Sequence, residues 1–169
     1  MNLDRYQALA AGTAVYPTLT TEMGTTNPFY AALGLIGESL EFESAPDDVD
    51  ELGDVLWYAA ILSMELGFSL NNVYGLGWER VAHRGMRQDS LLHLAAEVAE
   101  PIKKLWRDGP SLKHKLSVKD SLADMMVLIE NTANADPLGV ELQTVCDRNL
   151  AKLASRKDRG VLSGDGSSR

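Results

Sequence analysis

The run VLWYAAIL at residues 55–62 is apolar on every side and constrains the fold more than any other stretch of the chain. A helix that is apolar all round has to be enclosed by other elements, because no side of it can face water favourably. The run is also too short to cross a bilayer, which takes about 20 residues. It therefore predicts the central helix of a globular domain, for which a chain of 169 residues is long enough.

Helix signals dominate the chain, and strand signals are scarce. Apolar periodicity and stop signals predict helices over 3–11, 29–43, 49–66, 69–83, 89–107, 117–134 and 138–157. Residues 12–28, with two prolines, predict a loop. The glycine- and serine-rich end at 159–169 predicts a flexible tail.

The second half of the chain resembles the first in three matched blocks. These blocks are ESLE (38–41) with EVAE (97–100), DELGDVLWYAA (50–60) with DSLADMMVLIE (120–130), and GFSLNNV (67–73) with GVELQTV (139–145). They occur in the same order in both halves, which favours an internal repeat. The sequence thus predicts a single all-α domain over 1–169, a helical bundle of two tandem helical hairpins in halves at roughly 1–85 and 86–158.

Four carboxylates in two pairs precede the apolar run. Glu38 and Glu41 are three residues apart, and so are Glu51 and Asp54. One residue turns an α-helix by about 100°, so the members of each pair point to nearly the same side. The same periodicity gives the first of these helices two apolar stripes, one of Phe29, Leu33, Ile36 and Leu40 and the other of Leu35 and Phe42. A separate polar strip, of Ser39 and Glu43, is available to solvent.

A divalent cation explains the four carboxylates better than solvation alone. An acidic pair on a helix most often faces water, but glycines at 34 and 37 and the apolar run surround these positions. Buried charges are costly without a partner, and no arginine or lysine occurs between residues 5 and 80. All-oxygen ligands favour Mg²⁺, for which Mn²⁺ can substitute.

Charge and cysteine content narrow the partners and the compartment. The formal net charge is −8, which argues against nucleic acid or an anionic membrane as the main partner. Cys146 is the single cysteine, so no intramolecular disulfide can form, as is usual in a reducing cytoplasm. The first residues lack the basic segment and long apolar run of a signal peptide, and we expect none.

Two segments of this sequence, GLIGESLEFE at 34–43 and DELGDVLWYAAIL at 50–62, resemble the MazG-like all-α nucleoside triphosphate pyrophosphohydrolases. That family carries Glu-x-x-Glu on one helix and Glu-x-x-Asp on the next. The segments at 3–17 and 149–166 resemble the two ends of the family's domain, so the resemblance spans most of the chain. The duplicated hairpin is compatible with a phage-encoded member, which would work in the cytoplasm of its host.

The resemblance implies an enzyme that hydrolyses a nucleoside triphosphate to the monophosphate and pyrophosphate. It makes Glu38, Glu41, Glu51 and Asp54 the Mg²⁺ ligands, with Glu38 or Glu41 accepting the proton of the attacking water. It also implies a role in adjusting a nucleotide pool, such as dGTP/GTP or another dNTP, and a homo-oligomer, either dimer or tetramer. The alternatives are a dUTP/dUDP-type or other nucleotide phosphohydrolase and a non-catalytic metal-binding helical module.

The two halves differ at the site positions. Ser121 stands where the first half has Glu51, so the second half lacks one acidic residue of the pattern. Glu97, Glu100 and Asp124 are kept, and we expect a vestigial site there. The alternative is that Glu100 forms an ordinary helix-surface ion pair with Lys103 or Lys104 and that Glu97 faces solvent.

The last helix and the aromatic residues after the acidic motif supply the expected substrate contacts. Asn149, Lys152 and Arg156 share one helix face, and the resembled family uses a similar Asn-x-x-Lys segment for phosphates. This predicts a composite site, unless the three residues merely solvate their helix. Trp57 and Tyr58 are candidates for stacking on the base, although a buried aromatic residue in a bundle more often belongs to the core.

Overall fold

The structure is a computed structural model that describes residues 2–21 and 24–161. Within these ranges the chain forms eight α-helices and a short antiparallel pair of strands. The elements are α1 (Leu3–Ala11), β1 (Leu19–Thr21), β2 (Gly24–Thr26), α2 (Pro28–Ser44), α3 (Val49–Glu65), α4 (Leu70–Arg84), α5 (Leu91–Glu97), α6 (Ala99–Asp108), α7 (Leu112–Asn134) and α8 (Leu142–Asp158). The predicted all-α class is confirmed.

Three local predictions from the sequence were wrong. The segment 12–28 is not all loop, because it contains β1 and β2. The helix predicted over 89–107 is two helices that meet at Val98, since Pro101 has no N–H to donate to the carbonyl four residues before it. Helix α7 begins at Leu112, two residues after Pro110, and not at 117. Of the tail predicted at 159–169, residues 162–169 lie outside the described residues.

Polar caps fix the starts of the two helices that carry the acidic pairs. The Asn27 side chain accepts a hydrogen bond from the Tyr30 backbone N–H at 3.1 Å, and Pro28 occupies the first turn of α2. Asp48 accepts one from the Asp50 backbone N–H at 2.8 Å at the start of α3. Such caps satisfy backbone donors that the first turn of a helix leaves unpaired.

Helix α3 lies in the core, as its apolar run predicts. Every residue from Val55 to Leu62 is buried except Tyr58, which is half-buried. The helix packs on α1, α2, α7 and α8. Full burial of a large aliphatic side chain contributes about 1.5–3 kcal/mol, so this run stabilises the fold strongly. None of the helices within the described ranges combines the length and apolar character of a membrane span.

The last helix of each half packs on the central helix of the other half: α8 on α3, and α4 on α7. Glycines permit both contacts. A Cβ placed on Gly53 of α3 would lie 3.1 Å from the Asn149 Cβ of α8, and one on Gly77 of α4 would overlap the Ala123 carbonyl of α7. The packing of α8 on α3 places residues from the end of the chain beside the acidic pairs.

Of the two apolar stripes on α2, the one with Leu35 and Phe42 faces the core. Ser39, expected to face solvent, is fully buried, whereas Glu43 is exposed as predicted. Leu33 and Leu40 of the apolar stripe are 71% and 54% exposed. The helix buries Ala31, Leu35 and Phe42 instead, because α3 and α5 both pack on that side. Periodicity alone could not rank two competing apolar faces.

Candidate functional site

Three of the four predicted carboxylates come together between α2 and α3. Glu38, Glu41 and Glu51 each offer a carboxylate oxygen, and these oxygens all lie within 4.8 Å of one another. Glu41 is exposed and the other two are half-buried, so the group opens to solvent on one side. Within the described parts of the chain, no lysine or arginine forms an ion pair with any of the three. The donor set fits a divalent cation with oxygen ligands.

A glycine–tyrosine contact holds α2 and α3 close beside this group. A Cβ on Gly34 would overlap the ring of Tyr58, so only glycine allows the ring to lie against α2. The Tyr58 hydroxyl, from α3, donates to the Tyr30 hydroxyl of α2 at 3.5 Å. The two helices thus approach closely at Gly34. At Gly37 a Cβ would meet no atom within 4 Å.

The gathered carboxylates perturb one another. Burial and the charges of Asp54, Glu41 and Glu51 together raise the pKa of Glu38 to about 7, while Lys152 opposes the shift. Burial also raises the pKa of Glu51, again with a contribution from Asp54. The ionised glutamates therefore destabilise the metal-free fold, and a bound cation would relieve that cost.

We expect Glu38→Gln to stabilise the metal-free protein at pH 8 by about 2–3 kcal/mol. The pKa of Glu38 is raised on folding from 4.5 to about 7, so the folded state binds the proton more tightly than the unfolded state does. The free energy of unfolding should consequently fall as pH rises between these two values. Chemical denaturation between pH 4.5 and pH 8 measures the effect.

The matched control is Glu43→Gln, which removes an exposed carboxylate from the same helix. It should leave the pH dependence of stability unchanged, whereas Glu38→Gln should flatten it. If the free energy of unfolding varied with pH in the same way in wild type and Glu38→Gln, the pKa of Glu38 would not be raised on folding.

Asp54 is turned towards α8. Its carboxylate accepts hydrogen bonds from Lys152 Nζ at 2.6 Å and from Asn149 Nδ2 at 3.1 Å. Lys152 also donates to the Asp50 backbone carbonyl at 3.0 Å. The basic partner that is absent near the acidic motif in sequence is thus supplied from 98 residues away. Asp54 still lies near enough to raise the pKa of Glu38 and Glu51, so it links the glutamates to α8.

Tyr6 is a site residue that the sequence reasoning missed. Its hydroxyl donates to Asn149 Oδ1 at 2.8 Å, and both side chains are buried. With the amide oxygen so occupied, the amide nitrogen is directed at Asp54. The available signal was a tyrosine on the buried face of α1, between Leu3 and Ala10, since a buried phenol needs a hydrogen-bond partner.

Of the other residues predicted to contact substrate, Arg156 and Tyr58 are half-buried and Trp57 is buried. Arg156 is half-buried one turn beyond Lys152 and forms no ion pair with any described residue. Trp57 is 8% exposed, and its indole N–H donates to Thr13 Oγ1 at 3.1 Å. The structure therefore places Trp57 in the core. Tyr58 is the aromatic residue beside the carboxylates.

In the second half, arginines surround the corresponding aspartate. Arg80 binds Asp124 through two hydrogen bonds, of 2.8 and 3.1 Å, and Arg84 binds its second oxygen. Arg87 lies 3.6 Å from the same carboxylate. Burial raises the pKa of Asp124, but the hydrogen bonds from Arg80 and Arg84 outweigh this and lower it. Fixed cationic side chains thus balance this carboxylate.

The second-half glutamates are also paired. Arg87 binds both oxygens of Glu97, at 2.6 and 2.8 Å, and this contact lowers the pKa of Glu97. The alternative in which Glu97 simply faces solvent does not hold, because Glu97 pairs with Arg87. Glu100 pairs with Lys103 and Lys104 on its own helix, as the surface ion-pair alternative predicts. Arg87 was missed, because it lies in the linker between the two halves.

One comparison with known proteins returns a relative. Over 78 residues the chain is 41% identical to the "Gene 37 protein" of Mycobacterium phage L5, an alignment that covers 44% of this chain and 67% of that protein. No family model matches the chain, and no solved structure matches it.

Proposed function

We propose that this chain, which belongs to the family of the Mycobacterium phage L5 Gene 37 protein, is a Mg²⁺-dependent nucleoside triphosphate pyrophosphohydrolase. The products would be a nucleoside or deoxynucleoside monophosphate and pyrophosphate. One observation carries the proposal. Carboxylate oxygens of three glutamates lie within 4.8 Å of one another and have no basic partner among the described residues, and a lysine and an asparagine bound to Asp54 lie beside them. The MazG-like motifs supply the reaction class.

Glu38, Glu41 and Glu51 would hold the cation, and Asp54 would join them once its contact with Lys152 opens. When bound, Mg²⁺ neutralises triphosphate charge and polarises the phosphoryl oxygens. It would also let a protein of net charge −8 bind an anionic substrate.

The side chains of this site would bind the phosphates and accept a proton. Lys152 Nζ and Asn149 Nδ2 are fixed donors at the edge of the carboxylate group, suited to the β- and γ-phosphates and to the leaving pyrophosphate. Arg156, one turn further along α8, extends the same donor face. Glu38 or Glu41 would take the proton of the water that attacks the α-phosphorus.

The packing of the halves supports one composite site per chain. In a tandem duplication, Gly53 corresponds to Ala123 and Asn149 to Gly77, and the structure pairs Gly53 with Asn149 and Gly77 with Ala123. This reciprocity is the packing expected of two repeated hairpins. In the second half, Arg80 and Arg84 bind the carboxylate of Asp124, which would otherwise be open to a cation. Metal ligands would thus come from the first half and phosphate donors from the second.

A panel of common NTPs and dNTPs, assayed for pyrophosphate release with and without Mg²⁺, tests the proposal. Mg²⁺-dependent release from at least one nucleotide is the expected result, and it would fit the control of a nucleotide pool in the cytoplasm of an infected host. Metal binding without any turnover across the panel would favour the non-catalytic helical module. Release of inorganic phosphate alone would favour another phosphohydrolase.

The two halves should respond differently to the same change. We expect Glu41→Gln to lower kcat/KM by at least about 100-fold, because it removes a predicted metal ligand, and Glu97→Gln, in the second half, to lower it by less than about 3-fold. Glu97→Gln should instead reduce stability, since it weakens the Arg87 pair. Steady-state kinetics and thermal unfolding of both variants check this, and equal kinetic losses would contradict a single composite site.

A further inference from the structure

The outer side of α2 exposes apolar groups that no described part of the chain covers. Leu33 and Leu40 are 71% and 54% exposed, and Gly37 lies between them on the surface. We call these three residues the outer strip. Single exposed leucines are ordinary on a protein surface, but two leucines one turn either side of an exposed glycine form a continuous apolar strip.

The outer strip continues into a groove beside α6. The groove is apolar and is lined by Phe29, Ala32, Leu33, Ile36, Ala99, Ile102 and Lys103. At its end Trp106 is 60% exposed and packs edge-on against Phe29, with ring centroids 4.7 Å apart. Exposed apolar surface of this extent is typical of a binding site for another protein chain.

Gly37 has no role within the described chain that would explain it. A Cβ there would meet no atom within 4 Å, whereas Gly34 is required by the Tyr58 ring. Glycine destabilises a helix interior relative to alanine, so its presence in the middle of α2 carries a cost without an intrachain gain. A glycine on an exposed helix face permits close approach by a second backbone.

We propose that a second copy of this chain docks on the outer strip, with its α2 antiparallel to the first across a two-fold axis near Gly37. The midpoint of Leu33 and Leu40 along α2 falls between residues 36 and 37, where the two-fold axis would pass. An antiparallel two-fold therefore sets Leu33 of one copy against Leu40 of the other, twice over. Such self-complementarity is the requirement of a two-fold interface.

The charges beside the strip favour the same arrangement. Lys103 lines the groove together with Leu33 and pairs with Glu100 on its own helix. Exposed Glu43 lies seven residues from Ile36, hence on the side of α2 that faces α6. An antiparallel two-fold keeps the α6 sides together and reverses α2, which brings Lys103 of one copy towards Glu43 of the other. A parallel two-fold would put the two α6 helices on opposite sides of the helix pair and would not bring Lys103 and Glu43 together.

The experiment is sedimentation equilibrium of the full chain with two matched glycine variants. Gly37→Ala should raise the thermal midpoint by a few degrees at dilute, monomeric concentration, because alanine favours the helix, yet weaken dimerisation at least about tenfold. Gly75→Ala is the control: it lies exposed in α4 with equally open surroundings. It should raise the midpoint similarly and leave dimerisation unchanged.

A charge exchange tests the direction of packing. Lys103→Glu and Glu43→Lys should each weaken the dimer, and the double variant should restore it to within about threefold of wild type. A wild-type chain that stays monomeric at about 100 µM would overturn the proposal. So would dimerisation unaffected by Gly37→Ala and Leu33→Glu. Single charge variants that both leave the dimer intact would overturn the antiparallel arrangement.

Discussion

Replacing Asp54 with asparagine is expected to reduce pyrophosphate release at least about 1000-fold while the protein stays folded. Asp54 is the one carboxylate that connects both parts of the candidate site. It receives Lys152 and Asn149 from α8, and its charge acts on Glu38 and Glu51. The substitution would remove an anionic metal ligand and release the lysine from its position. Steady-state kinetics with the best nucleotide of the panel measures the loss.

Asp50→Asn is the matched control, because Asp50 lies one turn earlier on α3 and pairs with Arg148 at the surface. It should keep near-normal activity. Asp54→Asn should lower the free energy of unfolding by about 1–3 kcal/mol, since Lys152 loses its partner in a place where both side chains are less than one-fifth exposed. Circular dichroism confirms the fold, and full activity in Asp54→Asn would remove Asp54 from the site.

Lys152→Ala is expected to lower kcat/KM by roughly 10- to 1000-fold, the scale of one or more lost charged contacts with phosphate. Affinity for Mn²⁺ without nucleotide should move in the opposite direction. Lys152 occupies the Asp54 carboxylate in the metal-free protein, so its removal frees that ligand and strengthens the local negative potential. Calorimetric titration with Mn²⁺ separates this effect from the kinetic loss.

Arg148→Ala serves as the control on the same helix, because Arg148 pairs with surface Asp50 and should affect neither quantity strongly. If Lys152→Ala, Asn149→Ala and Arg156→Ala all keep near-normal kcat/KM, α8 is only scaffold. The next candidates for phosphate contacts would be Lys103, Lys104 and Arg107. These are weaker candidates, since each already pairs with an acidic residue on α6.

Local patterns sufficed for the parts of the molecule that local physics determines. The apolar run at 55–62 identified the buried helix α3, and the spacing of three placed Glu38 and Glu41 on one side of α2. The break before α3 followed from Pro46 and the acidic residues near it. In each case the deciding interaction lies within one or two helical turns.

Contacts between distant segments were beyond such reasoning. The absence of a nearby basic residue argued for a cation, yet Lys152 reaches Asp54 from the last helix. Tyr6 likewise contacts Asn149 across 143 residues of sequence. Arg80 and Arg84 stood at positions aligned with Lys152 and Arg156, but only the fold shows that they bind Asp124. Side-chain pairing between helices depends on packing angles that periodicity does not encode.

Hydrolysis in isotopically labelled water tests the central claim most directly. The active nucleotide is incubated with the protein and Mg²⁺ in water enriched in heavy oxygen, and the products are analysed by mass spectrometry. If the site directs water to the α-phosphorus, the label will appear in the nucleoside monophosphate, with unlabelled pyrophosphate in equal amount. Label in pyrophosphate or inorganic phosphate, or the same turnover by a Glu38→Gln and Glu41→Gln double variant, would contradict the account.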